Sequence, residues 1–266
     1  MTITLRSFPA LRMASMLVAL LTAAVLLGAC AGASTSSETV DVFVGSPFEG
    51  GESLRYEVVD IGGGDRVLVG YGTLAADAED GRLALRQTYV EAETPDGATP
   101  VTDEVVVWVQ PDTFRPLGGE RTVVSRDGNG RSETTRYAWS YVAGGGEDKE
   151  PRLVVSRDGG DERSLRLRDH YYDNESSLWL WRSIDLVEEY EAYYVSANPV
   201  ERNQQAVNIR VPQIETVTVP AGEFEAYRLL FRTGRAVRTA WIEAAAPHRV
   251  LRWDNGQSVL ELLPDE

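Results

Sequence analysis

From Leu54 onward, apolar and polar positions alternate with a period of two. Leu54, Tyr56 and Val58 are separated by Arg55 and Glu57, and Leu83 and Leu85 lead on the same face to Gln87 and Tyr89. The pattern returns in Tyr137, Trp139 and Tyr141, in Leu165 and Leu167, in Val207, Ile209 and Val211, in Val217 and Val219, and in Tyr227, Leu229 and Phe231. Alternation of this kind marks half-buried antiparallel strands, whose successive side chains point to opposite faces. Between the runs stand Gly62-Gly63-Gly64-Asp65, Glu79-Asp80-Gly81, Pro95-Asp96-Gly97, Asp127-Gly128, Asp158-Gly159 and Asn255-Gly256, several of them suited to tight hairpins. The pattern predicts an antiparallel meander of about ten or more short strands in one domain.

One stretch departs from this rhythm. Asn174-Glu175-Ser176-Ser177 offers N-cap oxygens ahead of Leu178-Trp179-Leu180-Trp181-Arg182-Ser183-Ile184, where Leu178, Trp181 and Arg182 share a helical face. A single short helix is predicted there. The six residues Val123 to Gly128 recur as Val154 to Gly159, but the match ends at once. Two similar hairpin corners account for it without an internal repeat.

Ahead of the strands the chain reads differently. After Arg6 and Arg12, an uncharged apolar run from Met13 to Ala29 ends in Leu27-Gly28-Ala29-Cys30, and Cys30 is the only cysteine of 266 residues. A basic start, an apolar middle and a small-residue close are the layout of a secretory signal, and the run is short for a spanning helix. The quartet resembles a bacterial lipobox, which implies a Cys30 carrying diacylglycerol, cleavage before it, and a lipid anchor with acyl groups such as palmitate. Two or more chains on one residue anchor a protein stably without a span. The expected organisation is a cleaved signal over residues 1–29, a tether over residues 30–52 and a β domain over residues 53–266. Val40 to Val44, inside the tether, has the length and apolarity of an edge strand. The expected place is the cell membrane or outer membrane, facing away from the cytoplasm. Residue 31 is Ala, not the Asp associated with inner-membrane retention in some bacteria.

Composition narrows the function classes. Residues 1–29 hold two arginines and no acid, so their removal takes the formal charge from −15 to −17. An acidic surface repels nucleic acid and anionic headgroups, so no nucleic-acid partner is expected and the lipid must do the anchoring. Without a second cysteine, the fold has no internal disulfide to rely on. His170 and His248 show no zinc-ligand spacing, and the chain has neither a Gly-x-Ser-x-Gly elbow nor a phosphate loop. Asp127 to Arg131 opens like a calcium loop, but Arg131 takes a ligand position and Ser132 the place of the glycine. No catalytic residue, metal ligand or cofactor is nominated.

The aromatic residues are the remaining chemistry. Most rings in a β protein pack its core. Tyr172, Trp179, Trp181, Trp241 and Trp253 are nominated as lining a groove for a hydrophobic ligand, an acyl chain or an apolar peptide. Trp179 and Trp181 stand out because residues two apart on a short helix should not both face one core.

The segment Glu215-Thr216-Val217-Thr218-Val219-Pro220-Ala221-Gly222-Glu223-Phe224-Glu225-Ala226-Tyr227-Arg228 resembles the signature hairpin of the bacterial envelope family catalogued as domain of unknown function 3108. Trp241-Ile242, the run His248 to Trp253, the run Tyr172 to Trp179 and Leu54 to Val58 fit the same order. Glu223 and the Glu243 to Ala246 stretch depart from it. The resemblance implies a single, strongly curved antiparallel sheet, an open or half barrel, similar to periplasmic lipoprotein carriers whose concave face accepts lipid. It brings no catalytic residues. The expected function is therefore a lipid-anchored, non-catalytic envelope protein that binds a hydrophobic ligand or an envelope partner. The alternatives are an assembly lipoprotein with a filled core acting through protein contacts and, more remotely, an envelope hydrolase.

Overall fold

The computed structural model describes residues 38–43, 45–47, 51–144, 150–234 and 236–265. The predicted signal, Cys30 and the start of the predicted tether lie outside these residues. In the first half of the chain the strands are β1 (Glu52–Asp60), β2 (Val67–Glu79), β3 (Arg82–Glu91), β4 (Thr102–Val109), β5 (Pro116–Arg126), β6 (Ser132–Val142), β7 (Arg152–Arg157) and β8 (Arg163–Arg166). In the second half they are β9 (Tyr171–Asp173), β10 (Tyr190–Asn198), β11 (Asn203–Val219), β12 (Gly222–Thr233), β13 (Ala236–Glu243), β14 (Val250–Asp254) and β15 (Ser258–Leu262). All fifteen belong to one sheet, in the order β8-β7-β6-β5-β4-β3-β2-β1-β15-β14-β13-β12-β11-β10-β9. Each half is a meander, and the first and last strands join them, Tyr56 standing opposite Leu262. Among the described residues, only the β9–β10 pair is parallel.

The predicted turns fall at the joints. Asp80 and Gly81 both have positive φ, at 49° and 76°, as the tight β2–β3 hairpin demands. Asp127-Gly128 turns β5 into β6, and Asp158-Gly159 turns β7 into β8, so the six-residue echo is indeed two hairpin corners. Pro220-Ala221 links β11 to β12, with Gly222 at φ 135°. β11 is long enough to need a bulge, and the register shifts between Arg210 and Gln213, where Pro212 needs no ladder donor.

One face of the sheet is the core face. Leu54, Tyr56 and Val58 are at most 9% exposed, as their alternation predicts, and Ile209, Leu229, Ala240 and Ile242 are fully buried. Two inward glycines of this sheet lie beneath aromatic rings. A Cβ at Gly70 would strike the Tyr89 ring, and one at Gly119 the Trp139 ring and the Val106 carbonyl. The rings supply the contact that glycine lacks.

Curvature brings the two ends of the sheet together, although β8 and β9 share no ladder. Gln204 on β11 donates from Nε2 to the Arg166 carbonyl at 2.7 Å and accepts the Arg168 N–H at 2.9 Å. Asp173 on β9 accepts from Trp139 Nε1 at 2.7 Å and from the Tyr141 hydroxyl at 2.9 Å, both on β6. The barrel is therefore open in its backbone and stitched by side chains.

The predicted helix exists as three short turns: a 3-10 turn Asn174–Ser176, an α-helical turn α1 (Ser177–Leu180) and a second 3-10 turn Trp181–Ser183. The cap is Asp173, one residue before the predicted quartet, which accepts the Glu175 N–H at 2.8 Å. Every residue from Ser176 to Ile184 is buried. The segment lies inside the curve of the sheet, so Trp179 at 1% and Trp181 at 5% exposure are both core residues. This corrects the expectation that the two would not both be buried in one core. That geometry holds for a helix packed on one side, whereas here the core surrounds the helix. Arg182, 2% exposed, fixes its end: it donates to both Glu52 carboxylate oxygens at 2.8 and 3.0 Å and to the His248 and Pro247 carbonyls.

Part of the stretch read as tether is docked. The Val40 N–H donates to the Tyr193 carbonyl of β10 at 2.8 Å, and Val42 and Phe43 are only 2% and 3% exposed. Phe43 packs edge-on against Tyr172 at 4.6 Å and Tyr194 at 5.0 Å. Asp41 receives Tyr172 Oη at 3.3 Å, His170 Nδ1 at 2.8 Å and the Arg115 guanidinium.

Candidate functional site

The helical segment fills one part of the concave face and leaves a cavity of about 600 Å³ beside it. Its floor is aromatic and aliphatic: Trp181, Tyr194, Phe231 and Trp253, with Leu178, Val207 and Leu260. The floor is rigid. Trp181 stacks on Phe231 with ring centres 3.9 Å apart, and Trp253 lies 4.6 Å from Trp181 and 5.8 Å from Phe231. The Trp181 indole N–H donates to the Tyr194 hydroxyl at 3.3 Å, and burial holds that phenol protonated by raising its pKa to about 12.

The walls are polar, and the strand pattern explains why. On β10 the inward positions change from Tyr194 to Ser196 and Asn198 toward the end of the strand, and on β11 from Val207 to Gln205 and Asn203. Gln87 on β3, Thr233 on β12 and the β14–β15 turn, Asn255 to Gln257, complete the ring. Glu175, Glu201 and Arg238 are its charged lining residues. Burial raises the Glu175 pKa against the pull of Arg121, which lies 3.3 Å away and also grips Asp103.

The aromatic candidates divide three ways. Trp181 and Trp253 line the cavity together. Trp179 and Tyr172, each 1% exposed, are packed elsewhere in the core and are not among its lining residues. Trp241 is on the opposite face, since its neighbours Ala240 and Ile242 are the buried ones. Its indole donates to Glu215 at 2.6 Å, and Arg252 lies 5.0 Å from its ring centre. The structure thus gathers two of the five around the cavity and disperses three. The wall amides escape the sequence reading because, on strands, Asn203, Gln205 and Gln87 look like ordinary polar alternation. Their shared inward parity with Val207 and Leu85 is the only signal.

Beneath Glu175, Asp173 is fully enclosed. Burial is the main cause that lifts its pKa to about 7, with the Glu175 charge adding to it and the bonds from Glu175 N–H, Tyr141 and Trp139 opposing. Among the described residues, no group of three or more histidine, cysteine or acidic side chains is arranged to hold a metal.

A search of curated proteins finds no match to this chain. Among solved structures, a β-barrel-like protein of domain of unknown function DUF1849 from Brucella abortus is similar at 9% identity and TM-score 0.53, covering 80% of this chain and 95% of that one. The similarity is one of fold. A putative exported protein with a YmcC-like fold from Bacteroides fragilis matches at 11% identity and TM-score 0.30, over 84% of this chain and 98% of the other. The sequence profile of the family described as protein of unknown function, DUF3108, matches residues 55–261. That span takes in all of the cavity's lining, thirteen of the fifteen strands entire and most of β1 and β15, and the chain belongs to this family.

Proposed function

We propose that this is a non-catalytic binding protein of the bacterial cell envelope, held on a membrane by lipid on Cys30, that takes a small ligand into the concave face of its sheet. The observation that carries the reading is the cavity of about 600 Å³, within the size range of small-molecule sites. An assembly protein with a wholly filled core has no use for such a space. The cavity also differs from the purely apolar groove expected of an acyl carrier, because its floor is aromatic and its walls carry amides and hydroxyls. The ligand therefore has both an apolar face and a polar rim. The carboxylates nearby serve structure: Glu175 is paired with Arg121, and Glu201 accepts from Asn203 at 2.8 Å.

Native mass spectrometry of the full-length protein extracted from its own membranes tests the reading. A small molecule released from the wild type and missing from Gln205→Trp, which fills the cavity mouth, is the expected result. Repeated recovery of empty wild-type protein overturns it.

A further inference from the structure

Resting on the reading of the cavity as a ligand site, we infer that its ligand is an uncharged saccharide, bound with one sugar face on Trp253 and its hydroxyls toward the amide walls. Three observations lead there. First, the hydrogen-bonding equipment is amide and hydroxyl. Gln87, Gln205, Asn203 and Thr233 are all among its lining residues. An amide both donates and accepts, as a sugar hydroxyl does, and two adjacent hydroxyls match its two ends.

Second, no cationic cluster converges on the space. The charged lining residues are Glu175, Glu201 and Arg238, and the guanidinium beside Glu175, that of Arg121, is shared with Asp103. A phosphate or carboxylate ligand is recognised by convergent guanidinium or ammonium groups, and this cavity presents only Arg238, which is exposed at its edge.

Third, the apolar part is a flat aromatic surface rather than a tunnel. Trp181 is covered by Phe231 on one side, and Trp253 is the half-buried ring of the cluster. A pyranose ring presents a flat patch of C–H groups that fits such a surface and leaves its hydroxyls pointing sideways. An acyl chain would cover Trp253 equally well, but it would strip water from Gln87 and Gln205 and return no hydrogen bond. Gln87 and Gln205 have no side-chain hydrogen bond among the described residues, so they are free to meet a ligand.

The test uses full-length protein in a detergent without a sugar headgroup, and reads tryptophan emission during titration with cellotriose, maltotriose, tri-N-acetylchitotriose or palmitate. Saturable binding of at least one trisaccharide is expected, weakened about tenfold or more by Trp253→Ala and by Gln205→Leu. Gln205 is exposed and makes no structural bond, so its variant separates recognition from folding. Saturation by palmitate with no trisaccharide bound overturns the ligand class and leaves the binding reading standing. Saturation by neither also overturns the ligand class, and the mass-spectrometric recovery of empty protein is what would remove the binding reading with it. Trisaccharide binding that both variants leave unchanged overturns the placement in this cavity.

Discussion

Asp173 shows how much one residue can carry in this fold. Its two carboxylate oxygens cap the helical segment through Glu175 and receive Trp139 and Tyr141 from β6, so three parts of the chain meet on one side chain. Its pKa is about 7 in the folded protein against an ordinary 3.8, so the folded state holds a proton that the unfolded chain gives up between those values. The stability this group contributes is full below about pH 4 and is lost as pH rises to about 7, at no more than about 1.4 kcal/mol per pH unit. Chemical denaturation from pH 4 to 8 is therefore expected to give a falling stability in the wild type, and a shallower fall in Asp173→Asn. Equal slopes for the two proteins would show that another group is responsible. Nothing in the sequence distinguishes Asp173 from the other acids, because its position depends on β6 and β9 being brought together by the curl of the sheet.

At the scale of elements, the strands were legible and the interior was not. Period two places Leu54, Tyr56 and Val58 on the core face, and dipeptides such as Asp80-Gly81 mark the hairpins, because both signals are local. The burial of Trp179 and Trp181 together follows from the helix lying within the curve of the sheet, which no ten-residue window reports. The docking of residues 40–43 is of the same kind. Phe43 is held by Tyr172 and Tyr194, far along the chain, and Asp41 by Arg115, His170 and Tyr172. This short segment behaves as part of the domain. Phe43→Ala is expected to lower the unfolding free energy by about 3 kcal/mol in a urea titration. A change below about 0.5 kcal/mol would mean that the segment adds nothing to the fold. For the same reason, a domain trimmed at residue 52 should be less stable than one trimmed at residue 37.

For the whole molecule, the docked segment sets the reach of the proposed anchor. If lipid sits on Cys30 and the chain is held again at Val40, only the residues between them span the gap to the membrane. At no more than about 3.6 Å per extended residue, the domain stays within roughly 35 Å of the bilayer surface. Cys30→Ala is expected to move the protein from the membrane to the soluble fraction, with its fold unchanged by circular dichroism. A variant that still sediments with membranes would defeat the lipid-anchor proposal.

The meeting of β1 and β15 at the middle of the sheet bears on how such a chain can be made. Each half closes its own strand pairs in order as it emerges, yet the free edge of β1 has no partner until Ser258–Leu262 appears, some two hundred residues of chain later. Pairings this remote in sequence form slowly, and an unpaired edge invites pairing with other chains. Protection of that edge must therefore last for nearly the whole length of the polypeptide. A circular permutant that joins the two terminal strands by a short turn and opens the chain between β8 and β9 would remove the delay.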